Sequence, residues 1–332
     1  MIVLGLESSC DDTAAAVLED GRERSSVVAS QDLVHAPFGG VVPELAARNH
    51  LDNIIPGIEA ALERAGLELS DIDAVAATRG PGLLGCLLVA LQTGKGIACG
   101  RGLPFIGVNH IEGHLLSTEI DEVLPRPFLG MVVSGGHSAL YLAGADHGWS
   151  LLGATRDDAA GEAFDKAAKL LDLGYPGGRQ IEALARGGNP QALPLPRPRV
   201  RGEEIALSFS GLKTALWHRL RERPDLPKAD VAASFQCAVV ETLVDAARRG
   251  LEKSRADCLV VTGGVSANGA LREAMATLCR EEGVRLVVPP IPRCTDNAAM
   301  IAYAGWRRLE RGERDGFDVE PMPVWPLGER DG

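Results

Sequence analysis

Short apolar runs and longer segments with helical spacing alternate along this chain of 332 residues. Residues 2–6 and 13–18 are two such runs, and the polar turn at residues 7–12 between them predicts two strands joined by a loop. Residues 43–65 place apolar side chains at the three- and four-residue spacing of a helix. A short strand at residues 73–77 and a helix rich in small residues complete the pattern of the first half.

The strand–loop–strand pattern returns in the second half of the chain. Residues 128–133 lead into the loop Ser134-Gly-Gly-His137, and residues 138–142 leave it. We interpret this recurrence as a weak internal repeat, which indicates two related halves around a cleft. Because strands alternate with helices, the pattern places the fold in the α/β class.

Glycine-rich loops follow several of the predicted strands. Residues 258–262 lead through the loop Gly263-Gly-Val-Ser-Ala-Asn268 into a helix, an arrangement that places backbone N–H groups and a helix N-terminus near a phosphate. Each such loop is also explained as an ordinary turn, because glycine supplies positive φ. Several of them in a chain that repeats its opening strand pair favour a nucleotide cleft.

Composition narrows the classes of partner. The 34 basic and 45 acidic residues give a net charge of −11, which excludes a positive field over the whole molecule. A nucleic acid would therefore need a partner protein or a local patch, and aromatic residues for base stacking are scarce at 4%. Two arginine clusters offer such patches, although each is equally explained as solvated surface: Arg197, Arg199 and Arg201, and Arg307, Arg308 and Arg311.

Cysteine usage and hydropathy indicate the compartment. The seven cysteines are scattered and form no C-x-x-C motif, which favours a reducing compartment and argues against both a disulfide framework and a thiolate zinc site. No apolar run is long enough to span a bilayer, and the first residues read as a strand rather than as a signal segment. We therefore expect a cytoplasmic protein with no membrane contact.

The segment His110-Ile-Glu-Gly-His114 is the strongest indication of a metal site. Residues four apart lie on the same face of a helix, so two neutral imidazoles there can bind one divalent metal. The zinc-protease signature has its glutamate directly after the first histidine, whereas Ile111 stands there in this chain. Glu112 is two residues along and lies on another face of the helix, so the segment differs from that signature.

Two further acidic residues have competing interpretations. Asp296 stands where the last helix should begin, so it is either the N-cap of that helix or a third ligand of an open metal site. Residues 161–169 predict a helix with acidic residues early and lysine late, as suits the helix dipole. This helix is either a solvated amphipathic helix or one from which Asp165 binds substrate hydroxyls.

Nine short motifs run in order over nearly the whole chain. They are Gly5-Leu-Glu-Ser-Ser-Cys-Asp11, Gly80-Pro-Gly-Leu83, His110-Ile-Glu-Gly-His114, Val133-Ser-Gly-Gly-His137, Gly161-Glu-Ala-Phe-Asp165-Lys, Tyr175-Pro-Gly-Gly178, Phe209-Ser-Gly-Leu-Lys213, Gly263-Gly-Val-Ser-Ala-Asn268 and Cys294-Thr-Asp-Asn297. In this order the chain resembles the tRNA N6-adenosine threonylcarbamoyltransferase family of the bacterial TsaD type, formerly labelled glycoprotease or O-sialoglycoprotein endopeptidase.

The resemblance implies a fold of the actin, Hsp70 and sugar-kinase type (ASKHA), in which duplicated ribonuclease-H-like domains flank a nucleotide cleft. We expect an N-terminal actin-like domain at residues 1–108, onto which a helix at about residues 296–322 packs back. A C-terminal actin-like domain at residues 109–295 would then carry the metal and nucleotide loops.

The resemblance also implies the site residues. One divalent metal per chain, iron or alternatively zinc, is expected on His110, His114 and Asp296. The residues implied for the threonylcarbamoyl-adenylate site are Val133, Ser134, Gly135, Gly136, His137, Asp165, Gly178 and Asn268. Asp11 and His137 are our candidates for the group that takes a proton from the acceptor amine, with Glu112 as a further candidate, and Glu7 is expected to face the same cleft as Asp11.

The reaction implied by the resemblance moves a threonylcarbamoyl group from threonylcarbamoyl-AMP to N6 of adenosine 37 in tRNAs that read codons beginning with A. It forms t6A and releases AMP. The implied partners are tRNA, a smaller paralogue of the same fold (TsaB type) and a small ATPase (TsaE type), in a homo- or hetero-oligomer. The exposed face of the helix at residues 43–65, or of the one at residues 82–99, is our candidate for the protein contact.

Three other functions compete with this one. A metallopeptidase matches the older family label, but the displaced Glu112 argues against it. An actin-like ATPase or small-molecule kinase is favoured by the two loops between paired strands, and it would turn over ATP against a hydroxyl acceptor unaided. A non-catalytic scaffold is the third alternative, and the presence of His110, His114 and Asp296 argues against it.

Overall fold

The computed structural model describes residues 1–198 and 205–328 of the chain. The strands within these residues are β1 (Ile2–Glu7), β2 (Asp12–Glu19), β3 (Arg22–Ser30), β4 (Ala74–Gly80), β5 (Phe105–Asn109), β6 (Phe128–Val133), β7 (Ser138–Ala143), β8 (Trp149–Thr155), β9 (Ile205–Leu207), β10 (Cys258–Thr262) and β11 (Arg285–Val287). The helices are α1 (Asp32–His35), α2 (Pro43–Ala65), α3 (Leu84–Arg101), α4 (His110–Leu116), α5 (Ala160–Leu170), α6 (Gly177–Ala185), α7 (Ser210–Glu222), α8 (Lys228–Ser254), α9 (Gly269–Glu282) and α10 (Ala298–Glu310).

The chain forms two compact units. Residues 1–123 and the chain from Asp296 onward make the first unit, and residues 124–295 make the second. The sequence placed this boundary after residue 108 and put the metal-ligand helix α4 in the second domain. The structure puts α4 in the first unit instead. The physical reason is that α4 packs on α10: a Cβ atom added to Gly113 would lie 3.0 Å from Cδ1 of Ile301 and 3.2 Å from Cγ of Met300.

The first unit is built on a five-stranded sheet with the order β3-β2-β1-β4-β5. Strands β1, β2 and β3 pair antiparallel, with Ile2 opposite Glu19, whereas β4 pairs parallel with both β1 and β5. All seven residues of β4 are buried, as is typical of a parallel strand whose two faces are both covered. The sheet therefore forms the centre of this unit's core.

The second unit repeats this connectivity. Its six-stranded sheet has the order β11-β10-β6-β7-β8-β9. Strands β6, β7 and β8 pair antiparallel, and β10 pairs parallel with β6 and β11. Each unit thus starts with an antiparallel strand pair and adds two parallel strands on the far side of its first strand. The internal repeat predicted from the two strand–loop–strand patterns is therefore present in the topology.

Helix α10 lies directly on the first unit's sheet because glycines remove the side chains between them. A Cβ atom added to Gly5 of β1 would come within 2.4 Å of the carbonyl oxygen of Ala298, and one added to Gly305 within 2.4 Å of Cβ of Ala76. Such distances leave no room for any side chain at either position. The start of α10 is therefore held beside β1, close to the point where β1 ends at Glu7.

Among the helices of residues 1–198 and 205–328, none combines the length and the apolar character that crossing a bilayer requires.

Candidate functional site

Helix α4 presents two imidazoles on one face. It begins directly after β5, and the side chain of Asn109 caps it by accepting hydrogen bonds from the backbone N–H groups of Ile111 and Glu112, at 2.9 and 3.3 Å. The ring centroids of His110 and His114 lie 4.7 Å apart in an edge-to-face arrangement, and both side chains are buried. The helical spacing predicted for this pair is therefore present.

Asp296 completes a cluster with the two histidines. Its Oδ1 atom lies 3.0 Å from Nε2 of His114 and 3.6 Å from Nε2 of His110. One ligand atom from each of the three residues can be chosen so that all lie within 4.8 Å of one another. The alternative interpretation of Asp296 as a helix N-cap is wrong, because Asn297 caps α10 by accepting from the N–H group of Met300 at 3.0 Å.

A buried carboxylate lies behind His110. The Oε2 atom of Glu7 is 3.0 Å from Nδ1 of His110 and also accepts a 2.6 Å hydrogen bond from the hydroxyl of Thr78. The other oxygen of Glu7 accepts from the N–H group of Ser9. Burial alone would raise the pKa of Glu7, but the charge and hydrogen bond of His110 bring that pKa below its ordinary value. Glu7 therefore holds the His110 ring so that Nε2 points toward Asp296.

The surroundings of this cluster are rich in negative charge. Burial, then the carboxylates of Asp296 and Asp11, raise the pKa of Asp12 to about 8, and burial and Asp296 also raise the pKa of Asp11. Burial opposes a positive charge on His110, yet Asp296 and Glu7 outweigh it and raise the pKa of His110 to about 9. Crowded carboxylates that favour a positive charge at this point are the environment in which a divalent cation is stabilised.

The donor set fits a transition metal. Two imidazole nitrogens and one carboxylate oxygen suit Fe²⁺ or Zn²⁺ and leave coordination positions open for water or substrate. The carboxylate behind His110 is the outer support that metal-binding histidines usually have. Such support is absent from His114, whose buried Nδ1 atom has no hydrogen-bond partner among the described residues. The geometry therefore supports one metal held by three side chains, two of them from α4.

In the second unit the predicted nucleotide loops pack against one another. The loop after β6 is closed by a 2.7 Å hydrogen bond from the N–H group of Ser134 to the carbonyl of His137. Gly161 at the start of α5 and Gly263 after β10 lie directly on this loop. A Cβ atom on Gly161 would be 2.7 Å from the carbonyl oxygen of Ser134, and one on Gly263, which has φ of +91°, would be 2.5 Å from that of Val133.

The other residues predicted for this site also have structural contacts. The Oδ1 atom of Asp165 accepts a 2.8 Å hydrogen bond from the N–H group of Gly177, which fixes the segment that contains Gly178 at the start of α6. Asn268 caps α9 and donates a 2.8 Å hydrogen bond from Nδ2 to Gln236. The second unit therefore contains Val133 to His137, Asp165, Gly178 and Asn268, whereas Asp11 and the metal cluster belong to the first.

Most arginines of the two predicted RNA patches have acidic partners. Arg197 pairs with Glu241, whereas Arg199 and Arg201 lie outside the described residues. In the C-terminal cluster, Arg307 pairs with the buried Glu119, and Arg308 and Arg311 both pair with Glu313. The structure thus gives these paired arginines internal contacts, and it offers little unpaired positive charge at either place.

Comparisons with known proteins identify relatives over nearly the full length. The model of the tRNA N6-adenosine threonylcarbamoyltransferase family (TsaD) matches residues 23–303. The tRNA N6-adenosine threonylcarbamoyltransferase of Anaeromyxobacter dehalogenans (strain 2CP-C) is 51% identical over 331 residues, which cover 98% of this chain and 99% of that protein. The protein of the same name from Geobacter sp. (strain M21) is 50% identical and covers 98% of this chain and 97% of its own length.

Solved structures with low sequence identity share the fold. Full-length HypF, solved in a phosphate- and nucleotide-bound form, has a TM-score of 0.65 at 13% identity and covers 93% of this chain and 46% of its own. Component A of (R)-2-hydroxyglutaryl-CoA dehydratase from Acidaminococcus fermentans has a TM-score of 0.58 at 15% identity, over 93% of this chain and 99% of its own. The actin, Hsp70 and sugar-kinase type of fold expected from the sequence is thereby confirmed.

Proposed function

The chain belongs to the tRNA N6-adenosine threonylcarbamoyltransferase family, and from this premise we propose that it transfers a threonylcarbamoyl group from threonylcarbamoyl-AMP to N6 of adenosine 37 in tRNAs that read codons beginning with A, with release of AMP. The observation that carries the proposal is the buried cluster of His110, His114 and Asp296 in a chain that is about half identical to the enzymes of that name. A chain that served only as a scaffold would not need this cluster.

The chemistry is acyl transfer from an activated donor. Catalysis therefore requires that two substrates be positioned and that charge on one carbonyl oxygen be stabilised. A metal bound by the three ligands would supply a Lewis acid that orients or polarises an oxygen of the donor. Glu7 serves this function by fixing the His110 ring, and the partly exposed Asp296 leaves one side of the cluster accessible.

The second unit is proposed to hold the adenylate. Backbone N–H groups of the loops Ser134-Gly-Gly136 and Gly263-Gly264 would bind its phosphate, since glycine loops beside a helix N-terminus are suited to anions. Asp165 retains an Oδ2 atom that does not take part in the hydrogen bond to Gly177 and is proposed to bind the threonyl or ribose hydroxyls. Gly178 and Asn268 are proposed to line the same pocket.

The acceptor amine needs a group that takes its proton, because an exocyclic adenine nitrogen is a weak nucleophile. Asp11 and His137 are the proposed candidates. Asp11 follows β1 in the loop that starts with Glu7 and Ser9, and its raised pKa makes it a stronger base than an ordinary aspartate. His137 stands at the end of the Ser134 loop, where its N–H group donates to the Ser134 hydroxyl at 3.1 Å.

Helices α2 and α3 are proposed to bind the smaller paralogue of the TsaB type, which works with a small ATPase of the TsaE type. These helices pack on each other and expose apolar residues four positions apart, Leu51 and Ile55 on α2 and Leu84 and Leu88 on α3. A row of exposed apolar side chains on two neighbouring helices is typical of a protein interface.

Mass spectrometry of tRNA nucleosides tests the proposed function. The full chain with the two partner proteins, threonylcarbamoyl-AMP and unmodified tRNA should yield the N6-threonylcarbamoyl nucleoside, and reactions without donor should not. Turnover of ATP against a hydroxyl acceptor with neither donor nor tRNA would instead favour a kinase. Metal-dependent peptide cleavage that disappears in His114→Ala would favour the peptidase. Absence of the modified nucleoside in the complete reaction overturns the proposal.

A further inference from the structure

Helix α7 has an outer face that combines an aromatic side chain with positive charge. Its inner face is formed by Leu212 and Leu216, which are fully buried. On the outer face Lys213, Trp217 and Arg221 follow one another at four-residue intervals and are all exposed. Residues at this spacing form a continuous row along a helix. We call these three residues the α7 stripe.

Trp217 is the centre of the stripe. Its side chain is 43% exposed, although large aromatic residues are usually mostly buried. The guanidinium of Arg221 lies over its ring, 4.8 Å from the centroid, and the ring of His218 meets it edge to face at 4.8 Å. The cation–π contact holds both side chains in place. A flat ring surface is thereby presented to solvent next to a fixed positive charge.

The charges of the stripe are not neutralised within the described residues. Arg219 pairs with Glu222 and Arg223 with Asp225, so these neighbours are satisfied locally. Lys213 and Arg221 form no ion pair with a described residue. In a chain with a net charge of −11, two unpaired cations on either side of an exposed tryptophan are a local exception.

The helix that bears the stripe is fixed at its start. Asp157 accepts hydrogen bonds from the backbone N–H groups of Phe209 and Ser210, at 2.7 and 3.1 Å, and from the hydroxyls of Ser208 and Ser210, at 2.6 and 2.8 Å. The first turn of α7 is therefore tied to the segment that precedes α5. A rigid support of this kind keeps the three side chains of the stripe in constant relative positions.

We propose that the α7 stripe is a contact surface for tRNA, an inference that rests on the proposed function. Lys213 and Arg221 would neutralise backbone phosphates, and the ring of Trp217 would stack on an unpaired base. This combination of a π surface with flanking cations is how proteins bind single-stranded loops of RNA. The acidic protein as a whole repels RNA, so local contacts of this kind are needed for binding.

Binding of tRNA to the full chain, assembled with its partners, tests the inference by fluorescence anisotropy over a range of salt concentrations. We expect Trp217→Ala to weaken binding roughly tenfold, the loss of one stacked base. The double variant Lys213→Ala and Arg221→Ala should reduce the slope of log K against log salt by about 2, one for each phosphate contact. The matched control is Lys253→Ala with Arg280→Ala, which removes two exposed cations from the last turns of α8 and α9 and should leave the slope unchanged.

Steady-state kinetics separate this inference from the proposed function. If the wild-type protein modifies tRNA and the stripe variants raise the KM for tRNA with little change in kcat, the inference holds. If the stripe variants bind and modify tRNA as the wild type does, the inference is overturned while the proposed function stands. An equal loss in the control variant, or a loss of partner-protein binding with tRNA affinity unchanged, also overturns it. Failure of the wild-type protein to modify tRNA contradicts the proposed function itself.

Discussion

Nδ1 of His110 lies 3.0 Å from Oε2 of the fully buried Glu7. The carboxylate thereby fixes which nitrogen of the imidazole faces away from it, and Nε2 is the atom left to face Asp296. A carboxylate in this position also makes the ring a stronger ligand. His114 has no equivalent support among the described residues, so Glu7 should act on one of the two imidazoles alone.

We expect Glu7→Gln to weaken metal binding by about 10- to 100-fold, the usual cost of losing an outer-shell partner. Glutamine has nearly the same volume, so the fold should be retained. Competition with a chelator for Fe²⁺ or Zn²⁺ measures the affinity, and circular dichroism checks the fold. Glu7→Asp retains the charge but shortens the reach, and it should give an intermediate affinity. Wild-type affinity in Glu7→Gln would contradict the role assigned to this residue.

Removal of a metal ligand should have a larger effect. His110→Ala and Asp296→Ala should each lose stoichiometric metal and transfer activity while remaining folded, because a three-ligand site cannot lose one donor without a large loss in affinity. Elemental analysis of the purified variants measures the metal. Glu112→Gln is the matched control on the same helix, and it should retain both metal and activity. A full complement of metal in a His110→Ala and Asp296→Ala double variant would refute the ligand assignment.

The sequence could predict what is local. The spacing of His110 and His114 predicted a shared helix face because helical periodicity is a local property, and the strand–loop–strand patterns predicted the repeated topology for the same reason. The contact of Asp296 with this pair depends on packing across nearly the whole chain. It is made possible by Gly5, Gly113 and Gly305, whose missing side chains let α10 lie against β1, α4 and β4.

The specific role of Glu7 escaped the sequence analysis, which expected only that it faces the same cleft as Asp11. A signal was nevertheless present. Side chains two apart in a strand point to the same face, so Glu7 points the same way as Gly5 in β1. Since Gly5 contacts α10, Glu7 is directed toward the residues that begin that helix and its neighbour α4. The register of one strand against one helix therefore decides which acidic residue of the loop lies behind His110.

Asp165→Asn should weaken donor binding. The amide keeps an acceptor for the N–H group of Gly177, so the start of α6 should stay in place. A lost hydrogen bond to a charged group is worth about 1.5–3 kcal/mol, or roughly 10- to 100-fold in affinity. Isothermal titration with a non-hydrolysable donor analogue measures this, and Lys169→Ala on the same helix is the control. Unchanged donor affinity in Asp165→Asn would rule out its proposed contact.

The apolar face of α2 and α3 should be needed for assembly. A charge buried at an interface is costly, so Leu51→Asp and Leu84→Asp should each abolish the complex with the smaller paralogue while the chain alone stays folded. Size-exclusion chromatography with light scattering measures the complex. Leu33→Asp is the control, because Leu33 of α1 is 90% exposed but lies on neither helix. Complex formation by both interface variants would show that the partner binds elsewhere.

Asp157 should give the second unit a pH-dependent stability. Partial burial opposes its ionisation, but hydrogen bonds from Ser208, Phe209 and Ser210 bring the pKa of Asp157 below its ordinary value. A carboxylate with a lowered folded-state pKa stabilises the fold fully above the unfolded pKa of about 3.9, and this contribution is lost as the pH falls through the folded value. Asp157→Asn should therefore lower the free energy of unfolding near neutral pH and have little effect in acid.

Urea denaturation of the wild type and Asp157→Asn at several pH values measures the difference. We expect about 1 kcal/mol at pH 7, the usual worth of a side chain that caps the first turn of a helix, reduced where solvent screens the exposed carboxylate. The difference should shrink toward zero below pH 4. Asp172→Asn removes an exposed carboxylate whose nearest cation, Lys228, is 4.0 Å away, and it should show no such dependence. A wild-type advantage that persists unchanged to pH 3 would mean that Asp157 acts through packing rather than through its charge.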